Sequence, residues 1–108
     1  MPPWLPRVLM RIRASVAAGR VVLTAKARDE LLELGLERPD LEELLGALGA
    51  QDRPARLRTD PADQWLYVFR PAVAGLHLYL KLAIRLDCVV ISCHEDEPQA
   101  SKEAGRDR

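Results

Sequence analysis

The chain has 108 residues, 48% hydrophobic and 30% charged, with 16 Lys+Arg balanced by 16 Asp+Glu. This length fits one domain that buries roughly 65% of its unfolded surface, with no room for a separate cofactor domain. The composition excludes a disordered chain, and no apolar run approaches the ~18 residues that a membrane helix needs.

In chain order, Val8, Ile12 and Val16 recur at helical spacing with Leu5 and Leu9 beside them. They predict an amphipathic helix from about Val8 to Ala18, with Arg7 and Arg11 outside and Gly19 as its stop. Trp4 lies in a Pro-rich arm before it and is expected to pack back on the sheet or on a partner. Arg20 to Leu23 is a short β-branched run that fits an edge strand. Thr24 can cap a second helix over Ala25–Leu34, with Ala27, Leu31 and Leu34 on one face and Gly35 past its end. Pro39-Asp40 opens a third helix. Here Asp40 is the expected N-cap, Glu43 takes the capping-box position, and Leu41, Leu44, Leu45 and Leu48 form the apolar stripe up to Gly49.

The period then changes. Arg56-Leu57-Arg58 alternates, Trp65 to Phe69 is a continuous apolar run, Leu76 to Ile84 alternates strictly, and Cys88 to Cys93 is a second apolar run. Four strands joined by short turns predict a mostly antiparallel meander. Helices followed by strands give an α+β fold, with the N-terminal helices packed on one face of a twisted sheet. One domain is expected over residues 1–97, and residues 98–108 read as a disordered polar tail.

Charge is segregated along this order. Residues 1–24 carry Arg7, Arg11, Arg13 and Arg20 and no acid; residues 25–52 net −5, residues 53–93 net +3 and residues 94–108 net −2. Zero total charge therefore does not argue against a nucleic-acid partner, because local potential decides. Thirteen of the 16 cations are Arg, the side chain suited to forked phosphate contacts. Met1-Pro2-Pro3-Trp4 has neither a basic n-region nor an apolar h-region, and Cys88 and Cys93 are fewer cysteines than a small secreted scaffold carries. Both features predict a reducing, cytoplasmic setting.

Strand alternation selects one face. Leu76, Leu78, Leu80, Leu82 and Ile84 share the core side of their strand, which leaves His77, Tyr79, Lys81 and Arg85 on the other. With Leu86-Asp87 as a two-residue loop, Ile84 faces Val89, Leu82 faces Ile91, Lys81 faces Ser92 and Tyr79 faces His94. With Leu57 inward, Arg56 and Arg58 point together to the open face. Arg70 joins them from the Trp65–Phe69 strand, where it shares a face with Leu66 and Val68. The expected patch is Arg56, Arg58, Arg70, Tyr79, Lys81 and His94. It combines a side chain that titrates near neutrality with a phenol, an ammonium and several guanidiniums. RNA transesterification uses these types: a base for the 2′-hydroxyl, cations for the phosphorane and an acid for the leaving 5′-oxygen. The bland alternative is a solvated sheet face with an incidental His.

Other chemistry is weaker. Cys88 and His94 lie ~20 Å apart along a strand at ~3.3 Å per residue, and Cys93 and His94 point to opposite faces, so these residues do not make a zinc site. No serine sits in an elbow motif and no Gly-rich loop cradles phosphate. Trp65 reads as a core aromatic rather than a base-stacking platform.

Trp65-Leu-Tyr-Val-Phe-Arg-Pro71, Gly75, Leu78-Tyr-Leu-Lys81 and Asp87-Cys-Val-Val-Ile-Ser-Cys-His-Glu95 together resemble the MqsR family of type II toxin–antitoxin toxins, which have a RelE-like ribonuclease fold. Glu33-Leu-Gly-Leu36 is similar too, and the resemblance spans roughly residues 7–97. It implies a metal-independent endoribonuclease, an mRNA interferase that needs no cofactor. Such an enzyme cleaves mRNA at short GC-containing sites and inhibits translation and growth. It also implies a cognate antitoxin with a zinc-binding N-terminal domain and a DNA-binding C-terminal domain. The family's active-site Tyr falls on Tyr79. Its C-terminal-strand Lys falls on His94 and its Gln on Leu66, two departures in type. Its earlier Lys lands near Arg56 if one gap is allowed. The resulting expectation assigns catalysis to His94, Tyr79 and Lys81 and RNA phosphate binding to Arg56, Arg58, Arg70 and His77. The alternative is a non-catalytic RNA- or partner-binding module of the same fold.

Overall fold

The computed structural model describes residues 1–59 and 64–96, so the tail expected over residues 98–108 lies outside the described residues. The fold is α+β. Helix α1 (Leu5–Ala17) buries Leu5, Val8, Leu9 and Ile12. It starts three residues before the predicted start because Pro6 fits a first helical turn, whose N–H groups have no intrahelical acceptor.

Strand β1 (Val21–Leu23) leads into α2 (Ala25–Glu33), where the Thr24 side chain accepts the Ala27 N–H as the sequence predicts. Beyond α2, Gly35 takes a left-handed φ of 74°, and the Leu36 N–H reaches back to the Leu31 carbonyl. This is the Schellman closure that a glycine permits without a Cβ clash.

Helix α3 (Arg38–Ala47) corrects the sequence reading at its start. Glu37 is the N-cap, and Asp40 lies within the first turn, where its carboxylate accepts the Glu37 N–H at 2.8 Å. Pro39 is inside the first turn, not ahead of it, for the same reason as Pro6. A 3-10 turn (Ala50–Asp52) follows.

The sheet contains β1, β2 (Ala55–Arg58), β3 (Trp65–Phe69), β5 (Leu76–Ile84) and β6 (Cys88–Glu95) in the order β1-β6-β5-β3-β2, and the short β4 (Ala72–Val73) pairs with β5. All neighbours are antiparallel except β1, which runs parallel to β6 at the edge. Leu78, Leu80 and Leu82 are fully buried, Phe69 lies opposite Leu80, and Leu41 and Leu45 of α3, with Leu48 just past its end, complete the core with α1. Each of these side chains contributes about 1.5–3 kcal/mol by leaving water. α2 sits at the β6 edge where β1 ends: the Thr24 N–H donates to the Val90 carbonyl, and Ala27 and Leu31 enter the core. Among the described residues no helix is long and apolar enough to cross a membrane.

The β5–β6 hairpin keeps half of the expected register. Tyr79 lies opposite His94 and Lys81 opposite Ser92, as predicted. Beyond Lys81 the pairing shifts: Leu82 meets Val90 and Ile84 meets Cys88, not Ile91 and Val89. The connection is Arg85-Leu86-Asp87, one residue longer than the two-residue loop, and a bulge at Ile91 absorbs the difference. The bulge lets Cys88, Val90 and Cys93 all enter the core although 90 and 93 differ in parity.

Candidate functional site

The face of the sheet that α1 and α3 leave uncovered carries the site. Tyr79 and His94 are cross-strand partners whose rings stack with centroids 5.0 Å apart and planes 14° from parallel. The Arg70 guanidinium lies 5.1 Å from the centre of the Tyr79 ring. Its Nη1 donates to both Asp96 carboxylate oxygens, at 2.8 and 2.9 Å. Asp96 thus fixes the guanidinium over the phenol, and further N–H donors remain for an anion. Lys81 stands one step along β5 on the same face, opposite Ser92.

The His94 ring has a defined hydrogen-bonding direction. Its Nδ1 is 2.9 Å from the Glu95 carbonyl oxygen. A carbonyl only accepts, so Nδ1 carries the proton, and in the neutral ring Nε2 holds the lone pair. The half-buried imidazole therefore offers a base at Nε2, with its tautomer set by the backbone.

Three further side chains complete this face; the sequence reading placed Ser92 opposite Lys81 but gave none of the three a part in the site. Lys26 Nζ donates to Ser92 Oγ at 3.2 Å, and Ser92 Oγ donates to Glu30 Oε1 at 3.0 Å. The Cys93 N–H also donates to Glu30 Oε1, at 2.9 Å, and Lys26 Nζ lies 3.5 Å from Glu30 Oε2. Burial pushes the Glu30 carboxyl up, but the Cys93 N–H, the Ser92 hydroxyl and the positive charges of Lys26 and His94 outweigh it. Together they hold the carboxyl below its ordinary value of 4.5. The carboxylate ties α2 to the backbone next to His94. The i,i+4 spacing of Lys26 and Glu30 was a visible signal, but nothing in the sequence placed α2 beside β6.

Two predicted site residues are on the wrong side. Arg56 pairs with Tyr67 and Arg58 with Trp65, while Tyr67 pairs with Leu82, so Arg56 and Arg58 share the helix-covered face. Leu57 points the other way and is 44% exposed, where the sequence places it inward. The cause is aromatic: the Arg56 guanidinium lies 3.9 Å from the Trp65 ring centre and 5.3 Å from Trp4, and Arg58 lies 4.9 Å from Trp65. These contacts hold the guanidiniums over the rings, so the edge strand does not need Leu57 in the core. Trp65 accordingly is not a core residue but is 36% exposed.

His77 is exposed and outside the Tyr79–His94 stack. It pairs with Ala72 of β4 and shares a cleft with Arg70, Arg53, Asp52 and Asp96. Arg85, expected on the same face as Lys81, lies in the hairpin connection and donates to Gln64 Oε1 at 2.9 Å. Leu66 is half-buried on β3 and offers the site no polar atom. Both cysteines are fully buried, and burial pushes each thiol up to about 11, with Glu30 adding to the effect at Cys93. The site therefore comprises Tyr79, His94, Lys81, Arg70 and Asp96, buttressed by Lys26, Glu30 and Ser92. No family model and no curated protein matches the chain.

Proposed function

We propose that the protein is an endoribonuclease that cleaves mRNA by transesterification, a toxin resembling the MqsR family, with a RelE-like arrangement of helices on a sheet. The observation that carries this reading is the stacked Tyr79–His94 pair with Nε2 of His94 free to take a proton. In the proposed reaction, Nε2 removes the proton of a ribose 2′-hydroxyl. The 2′-oxygen attacks the adjacent phosphorus, the P–O5′ bond breaks, and the products are a 2′,3′-cyclic phosphate and a 5′-hydroxyl. Lys81 and Arg70 neutralise the charge that builds on the phosphorane oxygens. A proton from Lys81 or the Tyr79 hydroxyl reaches the leaving 5′-oxygen.

Arg56, Arg58, His77 and Leu66 set the details of the reading. Arg56 and Arg58 face away and leave phosphate binding at this site to Arg70 and Lys81. His77 lies at the Arg70 end, along the cleft that Asp96 shares, where it can meet a neighbouring nucleotide. Leu66 replaces a hydrogen-bonding side chain, so base selection differs from that of the family.

The cytoplasm supplies both the mRNA and the proposed antitoxin, which has a zinc-binding N-terminal domain and a DNA-binding C-terminal domain. Expression with and without the neighbouring gene, with sequencing of transcript ends, tests this reading. Growth arrest with new 5′-hydroxyl ends, relieved by the neighbour, is expected. Unchanged growth and unchanged transcript ends contradict it and leave a non-catalytic binding module.

A further inference from the structure

The opposite face of the sheet holds a second cationic and aromatic constellation. Trp4 and Tyr67 meet with ring centroids 5.4 Å apart and planes tilted by 43°. Arg56 lies over both Trp4 and Trp65, and Arg58 also lies over Trp65. The result is a ladder of alternating rings and guanidiniums from the N-terminal arm to the edge strand β2. It opens on a cleft lined by Trp4, Arg7, Arg56 and Tyr67 with no acid among the lining residues. Arg7, Arg56 and Arg58 are exposed, and residues 1–24 contain four arginines and no acid. Among the described residues no carboxylate pairs with Arg56.

We infer that this ladder is a second site, across the sheet from His94, that binds single-stranded nucleic acid. A guanidinium held over an indole keeps N–H donors for other partners, and these match the forked geometry of a phosphate. Planar faces at half-exposed Trp4 and Trp65 accept unstacked bases, whatever their sequence. The combination selects the chemistry. An acidic peptide satisfies the arginines but not the rings, an apolar peptide satisfies the rings but not the arginines, and a duplex hides its base faces. The site stands whether or not His94 cleaves RNA.

Trp4 and Trp65 are the only two tryptophans, so tryptophan fluorescence reports this site alone. The test titrates the full chain with a 2′-O-methyl oligonucleotide of about 12 nucleotides, which no 2′-hydroxyl chemistry can cleave. Saturable quenching is expected, stronger with the single strand than with its duplex and absent with poly-glutamate. Arg56→Gln is expected to weaken binding about 10-fold and to lower the salt dependence by about one phosphate contact. Trp65→Phe, followed by anisotropy of a labelled oligonucleotide, is expected to retain binding that Trp65→Ala loses by about 10-fold.

No quenching, or equal quenching by duplex, overturns the inference. Quenching by poly-glutamate in place of RNA overturns it in favour of an acidic protein partner. Equal losses in Trp65→Phe and Trp65→Ala overturn the stacking role. Cleavage is measured separately on unmodified RNA. Quenching without cleavage keeps this site and removes the ribonuclease reading, and cleavage without quenching does the reverse.

Discussion

Tyr79 and His94 face each other across the β5–β6 ladder with their rings stacked at 5.0 Å. The stack sets the ring plane of His94, and the Glu95 carbonyl sets its tautomer. Removing the phenol ring therefore disturbs the imidazole even where it makes no contact with RNA. Tyr79→Ala is expected to cost about 0.5–1.5 kcal/mol of aromatic pairing and to loosen His94. Tyr79→Phe keeps the stack and removes only the hydroxyl. Thermal unfolding separates the two: Tyr79→Phe should melt close to the wild type and Tyr79→Ala below it.

Glu30 gives a pH dependence with a defined sign. Its folded carboxyl lies below its ordinary value of 4.5, so the carboxylate contributes stability that is fully present above pH 4.5 and lost as pH falls through the depressed folded value. Glu30→Gln removes that contribution and turns an amide donor towards Lys26 or Ser92. A loss of about 1.5–3 kcal/mol near neutral pH is expected, shrinking on acidification. Denaturant unfolding at neutral pH and at pH values below the carboxylate range measures it. A stability gap that stays constant or widens in acid contradicts the assignment.

The two cysteines are fully buried, with thiols pushed up to about 11. The thiolate is the reactive form, so neither should label at neutral pH in the folded protein, and both should label after unfolding. Titration with an aromatic disulfide in the presence and absence of denaturant reads this directly. Rapid native labelling of either thiol contradicts the core placement.

The β4–β5 turn carries a removable strain. Ala74 and Gly75 both have positive φ, 51° and 83°, between the paired residues Val73 and Leu76. This is the type I′ geometry, which favours Asn at the first central position. The left-handed conformation costs an alanine roughly 1–2 kcal/mol. Ala74→Asn is expected to raise stability by up to about 1 kcal/mol without touching the candidate site, and a shift in denaturation midpoint measures it.

Much of the fold could be read from local chemistry. Thr24 capping α2 and the Leu41–Leu45–Leu48 stripe along α3 and just past its end are short-range signals, and the structure reproduces both. The Tyr79–His94 pairing follows from the sequence reading although its premises do not hold: the loop is one residue longer than expected, and the bulge at Ile91 restores the expected register beyond it. The bulge at Ile91 was not legible, since apolar residues occupy both parities of β6 and either register buries some of them. β2 misled for a different reason. Its four residues are all exposed, so alternation around a single leucine had no core to report on. What fixes its facing is the contact of Arg56 and Arg58 with Trp65 and, for Arg56, with Trp4, which lies far away in sequence. Glu30 escaped notice because its partners, Ser92 and the Cys93 N–H, become neighbours only when α2 settles against β6.

The ribonuclease reading is tested most sharply by cleavage of a defined RNA by the purified protein in excess EDTA, with end-group analysis of the products, for wild type and His94→Ala. Wild type is expected to leave 2′,3′-cyclic phosphate and 5′-hydroxyl ends without added metal. His94→Ala, with its fold retained, is expected to be slower by about 10²–10⁴-fold. Cleavage by His94→Ala at the wild-type rate, or wild-type activity that appears only with added metal, overturns the assignment of His94 as the base of a metal-independent ribonuclease.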